Sequence, residues 1–66
     1  MITEVGIVAG EIWNYLDKNG KVSLKKLISN IEKPRDIILM SLGWLAREGH
    51  ISIADADGKS MVSLRK

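Results

Sequence analysis

The segment 42–51 (Leu-Gly-Trp-Leu-Ala-Arg-Glu-Gly-His-Ile) narrows the possible folds of this chain more than any other. An apolar helix pattern runs up to Gly49, which is suited to end a helix because glycine adopts the left-handed conformation without a steric penalty. Residues 50–54 then alternate in polarity, as in a strand with one buried face. Residues 55–58, Asp-Ala-Asp-Gly, are typical of a hairpin turn, and a returning strand over 59–65 follows. The segment therefore predicts a helix that leads directly into a β-hairpin.

The chain before this segment carries the signals of two helices and a short strand. Thr3 is suited to cap the first helix, and the Asn-Gly pair at 19–20 is suited to end it. Residues 21–22 leave room for only a very short strand. Ser23 is then expected to cap a second helix, because its hydroxyl can accept a hydrogen bond from an unpaired N–H of the first turn.

A third helix is expected after a turn at residues 30–33, with Pro34 at its first position and its end near Glu48. Proline suits that position because its missing N–H would be unpaired there anyway. The element order is therefore α-β-α-α-β-β. A helix–turn–helix followed by a hairpin is the order of a winged helix–turn–helix. We predict a single α+β domain over residues 1–66, with three helices and a small antiparallel β-hairpin wing.

One apolar cluster is expected to unite these elements. On the third helix, Ile38, Leu42 and Leu45 lie within about 60° of one another, and Leu39 and Ala46 widen this face. The predicted core comprises Ile12, Leu16, Leu27, Ile38, Leu42, Leu45, Ile51, Ile53, Val62 and Leu64. The predicted outward residues of the third helix are Asp36, Ile37, Met40, Gly43, Trp44 and Arg47.

Composition limits the function classes. The 66 residues include ten basic and eight acidic ones, and a net charge of +2 permits nucleic-acid binding without showing a clear basic stripe. The chain has no cysteine, which excludes disulfides and zinc–thiolate sites. Its start does not resemble a signal peptide, and no apolar run approaches the roughly 18 residues that span a bilayer. We expect a cytoplasmic protein that does not contact membranes.

The sequence offers no catalytic or metal-binding pattern. His50 is the only histidine, and no acidic residue stands at a recognised catalytic or metal-ligand spacing from it. The Asp-Ala-Asp-Gly run faintly resembles the start of a calcium loop, but Lys59 and Met61 occupy the next alternate positions, where further ligands would be needed. We therefore expect no enzymatic activity, no metal site and no cofactor.

Three segments carry a resemblance that covers nearly the whole chain: residues 6–13, Gly20 and residues 42–51. Through them the chain resembles a family of small prokaryotic winged helix–turn–helix domains of largely unknown function. The Leu-Gly-Trp-Leu-Ala-Arg-Glu-Gly run is fairly specific for that family. The resemblance implies the winged-helix fold, which usually binds DNA, although a fold alone does not determine function. It implies no catalytic residues.

A DNA-binding role would use the basic residues of the second and third helices and the wing. The candidate DNA contacts are Lys25, Lys26, Lys33, Arg35, Arg47 and Lys59. Most outward residues of the third helix lack the hydrogen-bonding groups that read base edges, and Arg47 is the exception. Two aspartates at the wing tip would repel phosphate groups. These residues favour a weak, sequence-tolerant DNA contact. The alternative is that the lysines are ordinary solvent-exposed residues of helix surfaces and contact no DNA.

The alternative function is a protein–protein interaction, with a second copy or another protein. The candidate interface on the third helix comprises Met40, Gly43, Trp44 and Arg47. The opposing interpretation is that Trp44 folds back onto the wing or the second helix. Gly6 and Gly10, beside Trp13, lie on one edge of the first helix and would allow another helix to approach its backbone closely. We expect that this close-approach edge serves tight packing within the domain.

Overall fold

The computed structural model describes residues 2–65. Its elements follow in the order α1 (Ile2–Asn19), β1 (Val22–Ser23), α2 (Leu24–Asn30), α3 (Arg35–Arg47), β2 (Ile51–Ala56) and β3 (Lys59–Leu64). This order is the predicted one, and the winged helix–turn–helix fold is confirmed.

The ends of the helices show which local signals act as predicted. The Ser23 hydroxyl accepts a hydrogen bond from the Lys26 N–H at 3.1 Å, so the predicted cap of α2 is confirmed. The predicted cap at Thr3 is wrong, because α1 already begins at Ile2 and Thr3 lies inside the helix. Pro34 is the N-cap of α3 rather than its first residue, and its carbonyl accepts from the Ile38 N–H at 3.1 Å.

Gly49 ends α3 in the way that its position predicts. It has a φ of 77°, a backbone conformation that glycine adopts without steric penalty because it has no Cβ. Its N–H donates to Ala46 O at 3.1 Å, and the N–H of His50 donates to Leu45 O at 3.0 Å. These two bonds satisfy carbonyls that the helix end would otherwise leave unpaired. The chain therefore turns directly from α3 into β2.

The sheet is antiparallel, with β3 between β1 and β2. The β2–β3 hairpin pairs Ala56 with Lys59, so its turn consists of Asp57 and Gly58 alone. Both turn residues have positive φ, at 52° and 76°, as a two-residue type I′ turn requires. β2 therefore runs two residues further than the sequence pattern predicts, to Ala56, and the turn is correspondingly shorter.

The core lies where α1, α2 and α3 meet one face of the sheet. The buried apolar residues are Val8, Ala9, Ile12, Leu16, Val22, Leu27, Ile31, Ile37, Ile38, Leu42, Leu45, Ile51 and Val62. Leu64 packs against this cluster but is only partly buried. Most of the predicted core is thus confirmed.

Ile53 was predicted to lie in the core and is instead 47% exposed. In β2 only Ile51 is buried, and every later residue of the strand is exposed. Ile53 shares a strand face with Ile51, since alternate residues point the same way. Val62, which pairs with Ile53 on the central strand β3, is fully buried, so this level of the sheet is covered over β3. Ile53 is exposed because it lies on the edge strand β2, which that cover does not reach.

The buried face of α3 is rotated relative to the prediction. Ile37 and Ser41 are buried, whereas Leu39 and Ala46 are exposed, so the predictions for Ile37, Leu39 and Ala46 are wrong. The rotation follows from the packing of α1 against α3. The Ser41 hydroxyl donates to Ile37 O at 2.7 Å and lies 3.2 Å from Val5 O on α1. The small serine thus lets the two helices approach closely.

Candidate functional site

An open groove of about 700 Å³ lies between α2, the start of α3 and the tip of the wing. It is lined by Ser23, Leu24, Lys25, Ile28, Ser29, Arg35, Gly58, Lys59 and Ser60. Three of these residues are cationic, and no acidic residue of the part that the structure describes lines the groove. The arrangement can receive an anionic chain along its length.

Each cation of the groove is positioned by a local feature of the backbone. The cap at Ser23 begins α2 and places Lys25 on its exposed side. Pro34 begins α3 and places Arg35 in its first turn. The two-residue hairpin turn brings Lys59, the first residue of β3, back beside the two helices. We define Lys25, Arg35 and Lys59 as the groove cations.

The groove cations are free to bind an external anion. All three side chains are exposed, and none forms an ion pair with another residue between 2 and 65. On the wing, the Ser60 hydroxyl donates to Asp55 Oδ1 at 3.0 Å, which engages one of the two wing carboxylates. The groove therefore presents positive charge beside a wing that also carries negative charge.

The other candidate DNA contacts lie away from the groove. Lys33 Nζ is 3.6 Å from Glu11 Oε1 of α1, an exposed ion pair that partly neutralises its charge. Lys26 follows Lys25 on α2, about 100° further round the helix. Arg47 stands at the other end of α3 from Arg35, about 18 Å along the helix axis.

The outward face of α3 carries apolar side chains. Trp44 is 48% exposed, Met40 43% and Leu39 40%, so Trp44 does not fold back to complete the core. A Cβ built on Gly43 would meet no atom within 4 Å. The exposure of Trp44 and Met40 supports the interaction-surface interpretation of this helix. The sequence pattern missed Leu39 as part of this surface, because it assigned that residue to the buried face.

The close-approach edge of α1 is also open. A Cβ built on Gly6 or Gly10 would meet no atom within 4 Å, so the expectation that these glycines allow tight packing within the domain is wrong. Trp13 beside them is 39% exposed. The core of the domain lies on the other side of α1, where Val8, Ala9 and the later apolar residues are buried.

Between residues 2 and 65, no group of three or more His, Asp or Glu side chains is placed to hold a metal ion. Within the same range, every helix is too short or too polar to cross a membrane.

Comparison with known proteins agrees with this architecture. Uncharacterized protein MJ1608 of Methanocaldococcus jannaschii is 32% identical over 65 residues, which covers 94% of this chain and 91% of that protein. The solution NMR structure of protein BT2368 from Bacteroides thetaiotaomicron superposes with a TM-score of 0.82 at 26% identity, covering 94% of this chain and 76% of that one. Residues 1–64 match the family described as "Winged helix-turn-helix domain (DUF2582)". Since this match spans all three helices and the wing, the chain belongs to that family of winged helix–turn–helix domains.

Proposed function

We propose that the domain binds duplex DNA through its phosphate backbone, with little sequence preference, in the groove between α2, α3 and the wing. The observation that carries this proposal is the convergence of the groove cations Lys25, Arg35 and Lys59, which come from three separate elements. Lysine and arginine that neutralise phosphates release condensed counterions, and this release drives binding independently of base sequence.

The composition of α3 supports low specificity. Base edges in the major groove are read by hydrogen-bonding side chains on the outward face of the recognition helix. Here the middle of that face carries Met40, Gly43 and Trp44, which offer none of the bidentate contacts that Arg, Asn or Gln make with guanine or adenine, and only Arg47 at its far end could do so. The groove cations can position the domain on DNA, while α3 adds little discrimination between sequences.

The salt dependence of binding tests this proposal. Three phosphate contacts predict that the logarithm of the binding constant falls against the logarithm of salt concentration with a slope of about −2.7. Fluorescence anisotropy with a mixed-sequence 20-base-pair duplex measures this slope. We expect the triple variant Lys25→Gln, Arg35→Gln, Lys59→Gln to lose most of this salt dependence. A duplex of unrelated sequence should bind the wild-type domain with similar affinity.

A matched control separates local contacts from net charge. The variant Lys18→Gln, Lys21→Gln, Arg65→Gln removes the same amount of charge from exposed positions outside the groove. It should keep a slope close to that of the wild type. Equal slopes for the two triple variants would contradict DNA binding in the groove and would indicate only a general electrostatic attraction. Lys26, Lys33 and Arg47 are each expected to contribute less than any groove cation.

A further inference from the structure

The exposed stripe of α3 is complementary to itself. Asp36, Met40, Gly43 and Arg47 follow one another at intervals of four, three and four residues, the spacing at which one side of a helix packs along another. We define these four residues as the α3 stripe. We propose that two copies of the domain associate by packing their α3 stripes against each other in antiparallel orientation about a two-fold axis.

The order of residues in the stripe selects the antiparallel arrangement. A two-fold axis level with the midpoint of the stripe places Asp36 opposite Arg47 of the second copy. It places Met40 level with Gly43 of the second copy, where the missing side chain leaves room for the methionine. Each contact occurs twice, because the axis exchanges the two copies. A parallel arrangement would instead bring identical charges together at both ends.

The charges at the ends of the stripe are available for this pairing. Neither Asp36 nor Arg47 forms an ion pair with a residue between 2 and 65 of its own chain. Asp36 lies in the first turn of α3 and Arg47 in the last, so the two charges are separated by the length of the helix. Antiparallel helices also place opposite ends of their dipoles side by side. Charge therefore determines the orientation of the pair.

The apolar residues beside the stripe supply most of the apolar surface that association would remove from water. Trp44 and Leu39 lie on opposite flanks of it, about 140° apart on the helix. In the two-fold pair, both copies of Trp44 lie on one face of the pair of helices and both copies of Leu39 on the other face. These side chains are 48% and 40% exposed in the single chain, and association would cover them.

The size of this surface predicts a weak dimer. A specific interface at the lower size limit covers about 600 Å² on each partner, roughly an eighth of the 4587 Å² surface of the chain. A 13-residue helix is about 20 Å long and reaches that limit only together with its flanking side chains. We expect a dissociation constant on the order of 100 µM, since little free energy remains after the entropic costs of association.

The decisive experiment uses two single variants and their mixture. Asp36→Arg puts arginine opposite arginine at both ends of the pair, and Arg47→Asp puts aspartate opposite aspartate. Each variant alone should associate at least about tenfold more weakly than the wild type, since like charges then face each other. In an equimolar mixture the two variants restore both opposite-charge pairs. Sedimentation equilibrium should show that the mixture dimerises with an affinity close to that of the wild type.

Three outcomes would overturn the proposal. One is a wild-type chain that stays monomeric at 1 mM, about ten times the expected dissociation constant. Another is single variants that associate as strongly as the wild type. The third is a mixture no stronger than its components, which would show that Asp36 and Arg47 do not meet across the interface. Circular dichroism of each variant verifies that the exposed substitutions leave the fold intact. None of these measurements involves DNA, so the result is independent of the proposed groove.

Gly43→Ala tests the close approach of the helices. The new methyl group meets nothing within its own chain, and alanine is a better helix former than glycine, so the melting temperature should rise. Dimerisation should nevertheless weaken, because the methyl group occupies the space that receives Met40 of the second copy. Gly10→Ala on α1 is the control, with equal space around it and no place in the stripe. If Gly43→Ala dimerises as strongly as Gly10→Ala, the proposed packing is wrong.

Discussion

The Leu42→Ala variant is expected to lose about 2–5 kcal/mol of unfolding free energy. Leu42 lies in the middle of α3 and is only 2% exposed, so the substitution removes buried surface and leaves a cavity between α3 and its neighbours. A chain of this length has a total stability of roughly 3–10 kcal/mol. The variant should therefore lose a large fraction of its stability, with a melting temperature at least about 10 °C lower.

Leu39→Ala is the matched control for this prediction. It makes the same chemical change in the same helix, at a residue that is 40% exposed. We expect it to cost less than about 1 kcal/mol, because the truncated side chain was already partly in water and leaves no cavity. Urea unfolding followed by circular dichroism measures both variants. Equal losses for Leu39 and Leu42 would contradict the helix rotation that the structure shows.

The second large effect is expected at Ile51. Ile51→Ala should cost about 2–4 kcal/mol, because this side chain is 3% exposed where β2 meets the end of α3. Ile53→Ala, two residues further along the same strand face, should cost less than about 1 kcal/mol. Ile53 is 47% exposed on the edge strand of the sheet, although its partner Val62 on β3 is fully buried.

Thermal unfolding of the two isoleucine variants measures this contrast. A difference of a few kcal/mol should separate their melting temperatures by roughly 10 °C or more in a domain of this size. Similar melting temperatures would mean that Ile53 is buried in solution, with the outer edge of β2 covered. That result would place the wing, and with it Lys59, differently relative to α2.

Local chemistry was enough to predict the elements and their order. Ser23 and Gly49 act through the few backbone groups next to them, and the Asp-Gly pair at 57–58 acts through its own tolerance of positive φ. None of these effects depends on distant parts of the chain, so the sequence shows them directly. Thr3 failed as a cap because a cap needs a helix that begins one residue later, and helix ends are sensitive to such shifts.

The depth of a side chain was decided by its neighbours in space. Alternation along β2 correctly placed Ile51 and Ile53 on one face, but only the packing of the helices over the sheet, in which β2 is the edge strand, determines which of them is covered. Helical spacing similarly located the centre of the buried face of α3. Its edges depended on the side from which α1 approaches, and this contact buried Ile37 and left Leu39 exposed.

The candidate site divides in the same way. The residue types in the sequence were enough to identify Lys25, Arg35, Lys59 and Lys33 as carriers of the positive charge that phosphate binding needs. The tertiary structure alone joined the first three across 34 positions of the chain and turned Lys33 towards Glu11. The physical reason is that charge is a property of one side chain, whereas a groove requires the relative positions of α2, α3 and the wing, which long-range packing determines.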